Sequence, residues 1–341
     1  MTSMIHAVQV SRANALLGVV DLPEPSPGYG KVRIAVEACG ICGSDVAMVQ
    51  GSFGDGPFPL TPGHEIAGRI DMLGEGVEGW QLGDRVAVGW YGGNDGTCQS
   101  CREGDPINCV NLQVPGLAYP GGYAESTVVP TSALARIPEE LTFAEAAPMG
   151  CAGVTVFNAL RRTSAWPGDL VAVLGLGGLG HLAVQFADKM GFDVAVIDRG
   201  SKKEATARQL GARHYLDSTV QEVPKALQAL GGAIVILATA PNPAAMTAAI
   251  DGLRAHGEMV VVGFSPEKIE VSPVQLITGQ KTLRGHNAGT SREVEETLRF
   301  VAQSGVRAIT EQAPLEDAPQ AFDKVLAGAT RFRGVLIPAR S

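Results

Sequence analysis

The sequence predicts an α/β chain of two unlike parts: a β-rich region followed by a doubly wound parallel sheet. Three observations predict it. Up to about residue 150 the chain reads as short strands of alternating polarity, punctuated by Gly and Pro. From Asp169 onward strand patterns alternate with helix patterns. Where the first of those strands ends, VLGLGGLGHL (residues 173–182) supplies a glycine-rich turn that opens a helix.

The elements follow in order. Residues 5–10 read as a first strand, and residues 31–38 (KVRIAVEA) and 85–89 (RVAVG) alternate as half-buried strands do. The character changes near Cys151. Residues 170–174 form an apolar run of strand length, and residues 179–190 a helix behind it. Residues 194–198 and 202–210 repeat that pair. Residues 234–238 and 259–263 are further buried strands, residues 293–303 and 317–326 are helical, and residues 335–337 form a closing strand. No internal repeat, low-complexity tract or long linker interrupts this order.

Composition bounds what such a chain can do. A length of 341 residues suits about two domains, and 45% hydrophobic residues suffice for sizeable cores. A net charge of −8 argues against a nucleic-acid footprint. No run of about 18 apolar residues is present. The start, MTSMIHAVQVSRANALL, has no basic segment before an apolar core, so no signal peptide is read there and a cytoplasmic location is expected. Six cysteines in such a chain suggest metal ligation more than disulfides. Only Cys39 falls outside the candidate metal positions, and it reads as a small buried residue in a strand.

Three separated segments offer metal ligands: CGICGSD (39–45), PGHEIAG (62–68) and APMGCAGVT (147–155). Together they supply Cys42, His64, Glu65 and Cys151. Zinc takes thiolate, neutral imidazole or carboxylate in a tetrahedral arrangement, and a catalytic site keeps one position open. Taken singly, these are a loop cysteine, a core histidine and a cysteine before a helix; taken together they read as one site. The loop NDGTCQSCREGDPINC (94–109) spaces Cys98, Cys101 and Cys109 as C-x2-C-x7-C. Gly175, Gly177 and Gly180, with Gly178 between them, form GxGxxG, a weak signal among 43 glycines until a strand and a helix flank it. Such glycines let the backbone approach a pyrophosphate, and the helix N-terminus favours the anion. Asp198 ends the second strand, where an acid can bond the ribose hydroxyls of NAD and repel the 2′-phosphate of NADP. The neighbouring Arg199, Lys202 and Lys203 leave NADP open. Zinc beside a nicotinamide cofactor implies hydride transfer to or from a polarised carbonyl.

In order, spacing and flanks these segments resemble the zinc-dependent medium-chain alcohol dehydrogenases, from about residue 28 to about residue 338. The resemblance implies a GroES-like catalytic domain (residues 1–152 and 288–341) and a Rossmann-type cofactor domain (residues 153–287), with the active site in the cleft between them. It selects Cys42 within CGIC, and makes Cys42, His64 and Cys151 the ligands of a catalytic zinc. Glu65 matches the acid behind the metal, which can ligate it transiently. Asp45 matches the acid that accepts the N–H of the ligand imidazole. Ser44 matches the hydroxyl that takes the alcohol proton and passes it to the nicotinamide ribose. Many relatives carry a His three residues further on, where this chain has Ala47, so the relay is shortened. The second cysteine loop resembles the structural zinc lobe of the family, with Asp95 where a fourth Cys is usual; a carboxylate ligand gives a harder and weaker site. Leu179 would pack against the cofactor, Arg333 would pair with its pyrophosphate, and Val262 and His286 lie in segments that line the nicotinamide. Phe53 and Trp90 occur where relatives have pocket aromatics. The implied activity is NAD-dependent oxidation of primary, and also secondary, alcohols to aldehydes or ketones by a homo-oligomer, dimer or tetramer. Two alternatives stay open at this point: a zinc-free quinone or enoyl reductase on the same scaffold, and a non-catalytic NAD- or zinc-binding protein.

Overall fold

The glycine-punctuated strands and the alternating strand–helix repeat fold as two separate units. The computed structural model describes residues 3–54 and 58–339. The strands, in chain order, are β1 (Met4–Val10), β2 (Leu17–Pro23), β3 (Lys31–Ile41), β4 (Glu65–Leu73), β5 (Arg85–Val88), β6 (Ser126–Pro130), β7 (Ala135–Arg136), β8 (Leu170–Leu174), β9 (Asp193–Asp198), β10 (His214–Asp217), β11 (Ala233–Ala238), β12 (Leu253–Val261), β13 (Thr282–Gly285), β14 (Thr310–Pro314) and β15 (Arg333–Ile337). The first unit comprises Met1–Val154 and Ala288–Ser341, and the second Thr155–Asn287. No helix of the described residues is long and apolar enough to cross a membrane.

The first unit holds a seven-stranded sheet in the order β14-β15-β3-β4-β5-β7, with β6 also paired to β3, and a separate antiparallel pair β1-β2. Its core gathers the inward residues of these strands, among them Val32, Ile34, Val36, Ile66, Ile70, Val86 and Val88. The strand expected over residues 31–38 runs on to Ile41. Cys39, Gly40 and Ile41 pair with β15 on one side, and Cys39 and Gly40 with β4 on the other. Gly40 looks locally like a breaker, yet tertiary pairing keeps it in the strand. Strand β2 has no local signature, because its alternate positions are exposed or half-buried and several are apolar.

The second unit is a six-stranded sheet in the order β10-β9-β8-β11-β12-β13, parallel throughout. In sequence rank this is the 3-2-1-4-5-6 order of a doubly wound dinucleotide fold, whose strand order reverses between β8 and β11. Its central strands are buried on both faces, so β8 and β11 read as unbroken apolar runs. The helix Gly180–Lys189 starts one residue later than the sequence suggests. Strand β12 begins well before residue 259, at Leu253; its first half is largely exposed and carries Arg254, His256 and Glu258, which hides it in the sequence.

Candidate metal centres and cofactor turn

Four elements of the first unit bring the first cluster together. Cys42 follows β3 and precedes the helix Gly43–Val49. His64 and Glu65 sit at the start of β4, and Cys151 follows the short 3-10 turn Ala147–Gly150. One ligand atom from each of Cys42, His64, Glu65 and Cys151 lies within 4.8 Å of the others. The Cys42 and Cys151 sulfurs are 3.9 Å apart. Two thiolates at about 2.3 Å from a tetrahedral ion would stand about 3.8 Å apart. His64 Nε2 and Glu65 Oε2 are buried without a hydrogen-bond partner. Leaving polar atoms so is costly, and a cation between them removes the cost. The donor set and its spacing therefore fit zinc.

A buried acid aims the imidazole. Asp45 is fully buried, and its Oδ1 accepts the Nδ1–H of His64 at 2.7 Å, which turns Nε2 toward the cluster. Asp45 Oδ2 accepts the Cys42 backbone N–H at 2.8 Å and the Tyr123 hydroxyl at 3.1 Å. Arg333 is buried in β15, and its guanidinium donates to Glu65 Oε1. Burial pushes the Glu65 carboxyl up to about 7, against the pull of Arg333. The hydrogen bond between the two sulfurs holds the Cys42 thiol well below its ordinary range and raises that of Cys151. The Trp90 ring stands edge-on to His64, with centroids 5.1 Å apart, and Phe53 lies 5.9 Å beyond it. Ser44 is half-buried one residue before Asp45, and Ala47 is buried further along the same helix. Cys39 is buried in β3, and burial raises its thiol.

Two residues of this cluster escape sequence reasoning. Tyr123 is fully buried and reaches Asp45 across 78 positions of chain. Gly40 is the other: a Cβ there would lie 2.0 Å from Glu65 Oε2. Tyr123 carries no motif of its own, and Gly40 shows only as the glycine of CGIC.

The second cluster is on the loop between β5 and β6. Ligand atoms of Asp95, Cys98, Cys101 and Cys109 also lie within 4.8 Å of one another. The Cys98 and Cys109 sulfurs are 3.8 Å apart, again the tetrahedral thiolate spacing of about 3.8 Å. Asp95 Oδ1 accepts the backbone N–H groups of Thr97 at 2.8 Å and Cys98 at 3.0 Å. Those bonds, first that of Cys98, hold its carboxyl well below the usual carboxylate range. Asn111 Nδ2 donates to Asp95 Oδ2 at 2.7 Å, and Asn94 Nδ2 to the Cys101 sulfur at 3.2 Å.

The cofactor turn belongs to the second unit. Gly175 has φ +98°, and a Cβ there would meet the Ala240 Cβ at 2.6 Å. A Cβ at Gly180 would lie 1.9 Å from the Gly175 carbonyl, so helix and turn touch backbone to backbone. At Gly177, by contrast, a Cβ would meet nothing within 4 Å, which leaves open backbone for an anion. Leu179 is half-buried beside it. Thr239 Oγ1 donates to the Gly175 carbonyl at 2.8 Å and pins the turn. Asp198, at the end of β9, accepts the Leu176 N–H at 2.8 Å, the Arg199 N–H at 2.7 Å and Lys203 Nζ at 2.9 Å. Val262 and His286 follow the carboxyl ends of β12 and β13, the side on which doubly wound sheets take ligands.

Comparison with known proteins agrees with this geometry. Residues 28–139 match the alcohol dehydrogenase GroES-like domain, and residues 178–303 match the zinc-binding dehydrogenase family. The chain is 41% identical over 320 residues to alcohol dehydrogenase notN of Aspergillus sp. (strain MF297-2), covering 94% of each. It is similar to the solved structure of an NAD-dependent alcohol dehydrogenase, with TM-score 0.89, 26% identity and coverage of 97% of this chain and 99% of that one. It is also similar to the structure of CAD from Helicobacter pylori complexed with NADP(H), with TM-score 0.87, 25% identity and 99% of each chain covered.

The packing around Glu65 yields a prediction. Gly40→Ala forces the Glu65 carboxylate off Arg333, since the new Cβ also meets the Glu65 Cβ at 3.0 Å. Overpacking of this kind costs about 1–3 kcal/mol. The variant is expected to melt several degrees lower and to hold less zinc. Wild-type melting together with wild-type zinc content would contradict the packing account.

Proposed function

The chain belongs to the medium-chain zinc alcohol dehydrogenases, and from that premise we propose the roles of its site residues, its cofactor preference and its substrates. The protein is a zinc-dependent alcohol dehydrogenase that uses a nicotinamide cofactor, an oxidoreductase acting on CH–OH donors. The observation that carries the site assignment is the convergence of two thiols 3.9 Å apart on the unpartnered His64 Nε2 and Glu65 Oε2.

In this assignment Cys42, His64 and Cys151 hold the catalytic zinc, and residues 1–152 with 288–341 form the catalytic domain. When bound, zinc supplies the Lewis acidity that makes an alcohol proton easier to lose, and the nicotinamide supplies the hydride acceptor. Asp45 keeps the His64 proton on Nδ1, so that Nε2 stays a ligand. Glu65, neutralised in part by Arg333, stands behind the ligand set as an alternative oxygen donor. The Ser44 hydroxyl would accept the alcohol proton and pass it on. Ala47 offers no imidazole to carry it further, so release to solvent runs through water. Trp90 and Phe53 present aromatic faces to the substrate, which suits unbranched, aryl or otherwise apolar primary alcohols, with secondary alcohols also accepted. A zinc-free reductase would have no use for this ligand set.

The dinucleotide-binding domain is residues 153–287. Backbone at Gly175, Gly177, Gly178 and Gly180 receives the pyrophosphate, Leu179 packs on the cofactor, and Val262 and His286 flank the nicotinamide. By the family resemblance, Arg333 is also assigned to cofactor binding. Asp198 spends one lone pair of Oδ1 and two of Oδ2 on Arg199, Leu176 and Lys203, which leaves one on Oδ1 for a ribose hydroxyl. That arrangement favours NAD over NADP. Asp95, Cys98, Cys101 and Cys109 hold a second, structural zinc. The free thiols of both clusters call for a reducing compartment, the cytoplasm. The working form is a homo-oligomer, a dimer or tetramer.

Two measurements test the assignment. Cys151→Ser should lose one zinc per chain and lower alcohol oxidation by more than about 100-fold while the fold survives. An active variant with its full zinc content overturns the ligand set. For the cofactor, wild-type kcat/KM should be higher with NAD. Asp198→Gly removes the like charge and releases Lys203 toward a 2′-phosphate, so the NADP-to-NAD ratio should rise about 10-fold or more. A wild-type preference for NADP would show that the cations outweigh the acid.

A further inference from the structure

A carboxylate is a less obedient ligand than a thiolate. A cysteine offers one sulfur placed by a single torsion, whereas an aspartate adds a second, broad torsion and two competing oxygens. At Asp95 both oxygens are already engaged. Oδ1 accepts two backbone N–H groups, from Thr97 and Cys98, which fills its two lone pairs. Oδ2 accepts one donor, Asn111 Nδ2 at 2.7 Å, and retains one lone pair. Asn111 touches a second member of the cluster as well: its backbone N–H donates to the Cys109 sulfur at 3.3 Å. Three thiolates and a carboxylate also outweigh a divalent cation, so N–H donors from Asn94 and Asn111 offset charge that the metal leaves over.

We propose that Asp95 Oδ2 is the fourth ligand of the second metal site, and that the Asn111 side chain is the positioning residue that aims it. The inference rests on the second-site reading given above. Asn111 holds the carboxylate plane, so that the spare lone pair of Oδ2 faces the three sulfurs while Oδ1 stays on the backbone. The backbone bond from residue 111 to Cys109 is independent of the side chain, so Asn111→Ala removes the aiming contact alone.

The test uses the zinc-loaded enzyme. Zinc release to a chromophoric chelator is followed in wild type, Asn111→Ala, Asp95→Ala and the double variant, with total zinc by elemental analysis. The same four proteins are prepared with cobalt(II) at the second site and their visible absorption is recorded. Loss of an outer partner usually weakens metal binding 10–100-fold, and at this exposed residue solvent replaces part of the bond, so roughly 3–10-fold faster release is expected for Asn111→Ala. Its cobalt bands should move toward those of Asp95→Ala, as water takes the place of the badly held oxygen. In the Asp95→Ala background the second substitution should add nothing, because the contact it removes is gone. Alcohol turnover should stay near the wild-type value in Asn111→Ala, which separates the effect from misfolding. Two zincs per chain in the wild type, with unchanged release and cobalt bands in Asn111→Ala, overturn the role of Asn111 alone. So does an acceleration that persists undiminished on Asp95→Ala, which marks a lobe scaffold instead. One zinc per chain in the wild type removes the second-site reading and this inference with it.

Discussion

The hydrogen bond from His64 to the buried Asp45 is the contact on which the metal centre depends. A fully buried carboxylate is tolerable only when its acceptors are filled. Here one oxygen takes the imidazole N–H, and the other takes the Cys42 backbone and the Tyr123 hydroxyl. Those three donors come from the end of β3, the start of β4 and the approach to β6. Satisfying one acid thus fixes three pieces of chain against one another and leaves His64 Nε2 facing two sulfurs. Removing the Tyr123 hydroxyl would loosen the angle between ligands without touching the ligands themselves.

Much of this was legible in the sequence because it is local. The strand–turn–helix around Gly175 and Gly180 is set by backbone clearances that only glycine meets, so the motif names its own geometry. The four candidate ligands Cys42, His64, Glu65 and Cys151 sit in segments whose types and order announce a metal, and the structure brings their ligand atoms together. What stayed hidden is long-range. Glu65 and Arg333 are 268 positions apart and meet only through the pairing of β3 with β4 and β15. Tyr123 has no pattern that ties it to Asp45. Strand β2 buries no residue fully and the first half of β12 only Leu253 and Gly257, so their sequences carry only a weak strand signal.

The two clusters share a spacing but not a setting. The first lies almost wholly in the core, where polar atoms without partners are costly and an ion in the gap contributes directly to the stability of the site. The second lies on a loop whose ligands are mostly half-exposed and already served by backbone and asparagine donors. That contrast suits one centre to chemistry on a bound substrate and the other to holding a loop in shape.

The first unit is assembled from two segments that flank the second in sequence, and this orders events during synthesis. Strand β15 lies between β14 and β3, so the sheet stays open on that side until β15 leaves the ribosome. Residues 155–287 are complete much earlier and can close on themselves meanwhile. Arg333, the cation that meets Glu65, arrives with β15, long after Glu65 itself. Until then the nascent pocket holds Glu65 without Arg333, and β15 brings the charge that helps it to be buried.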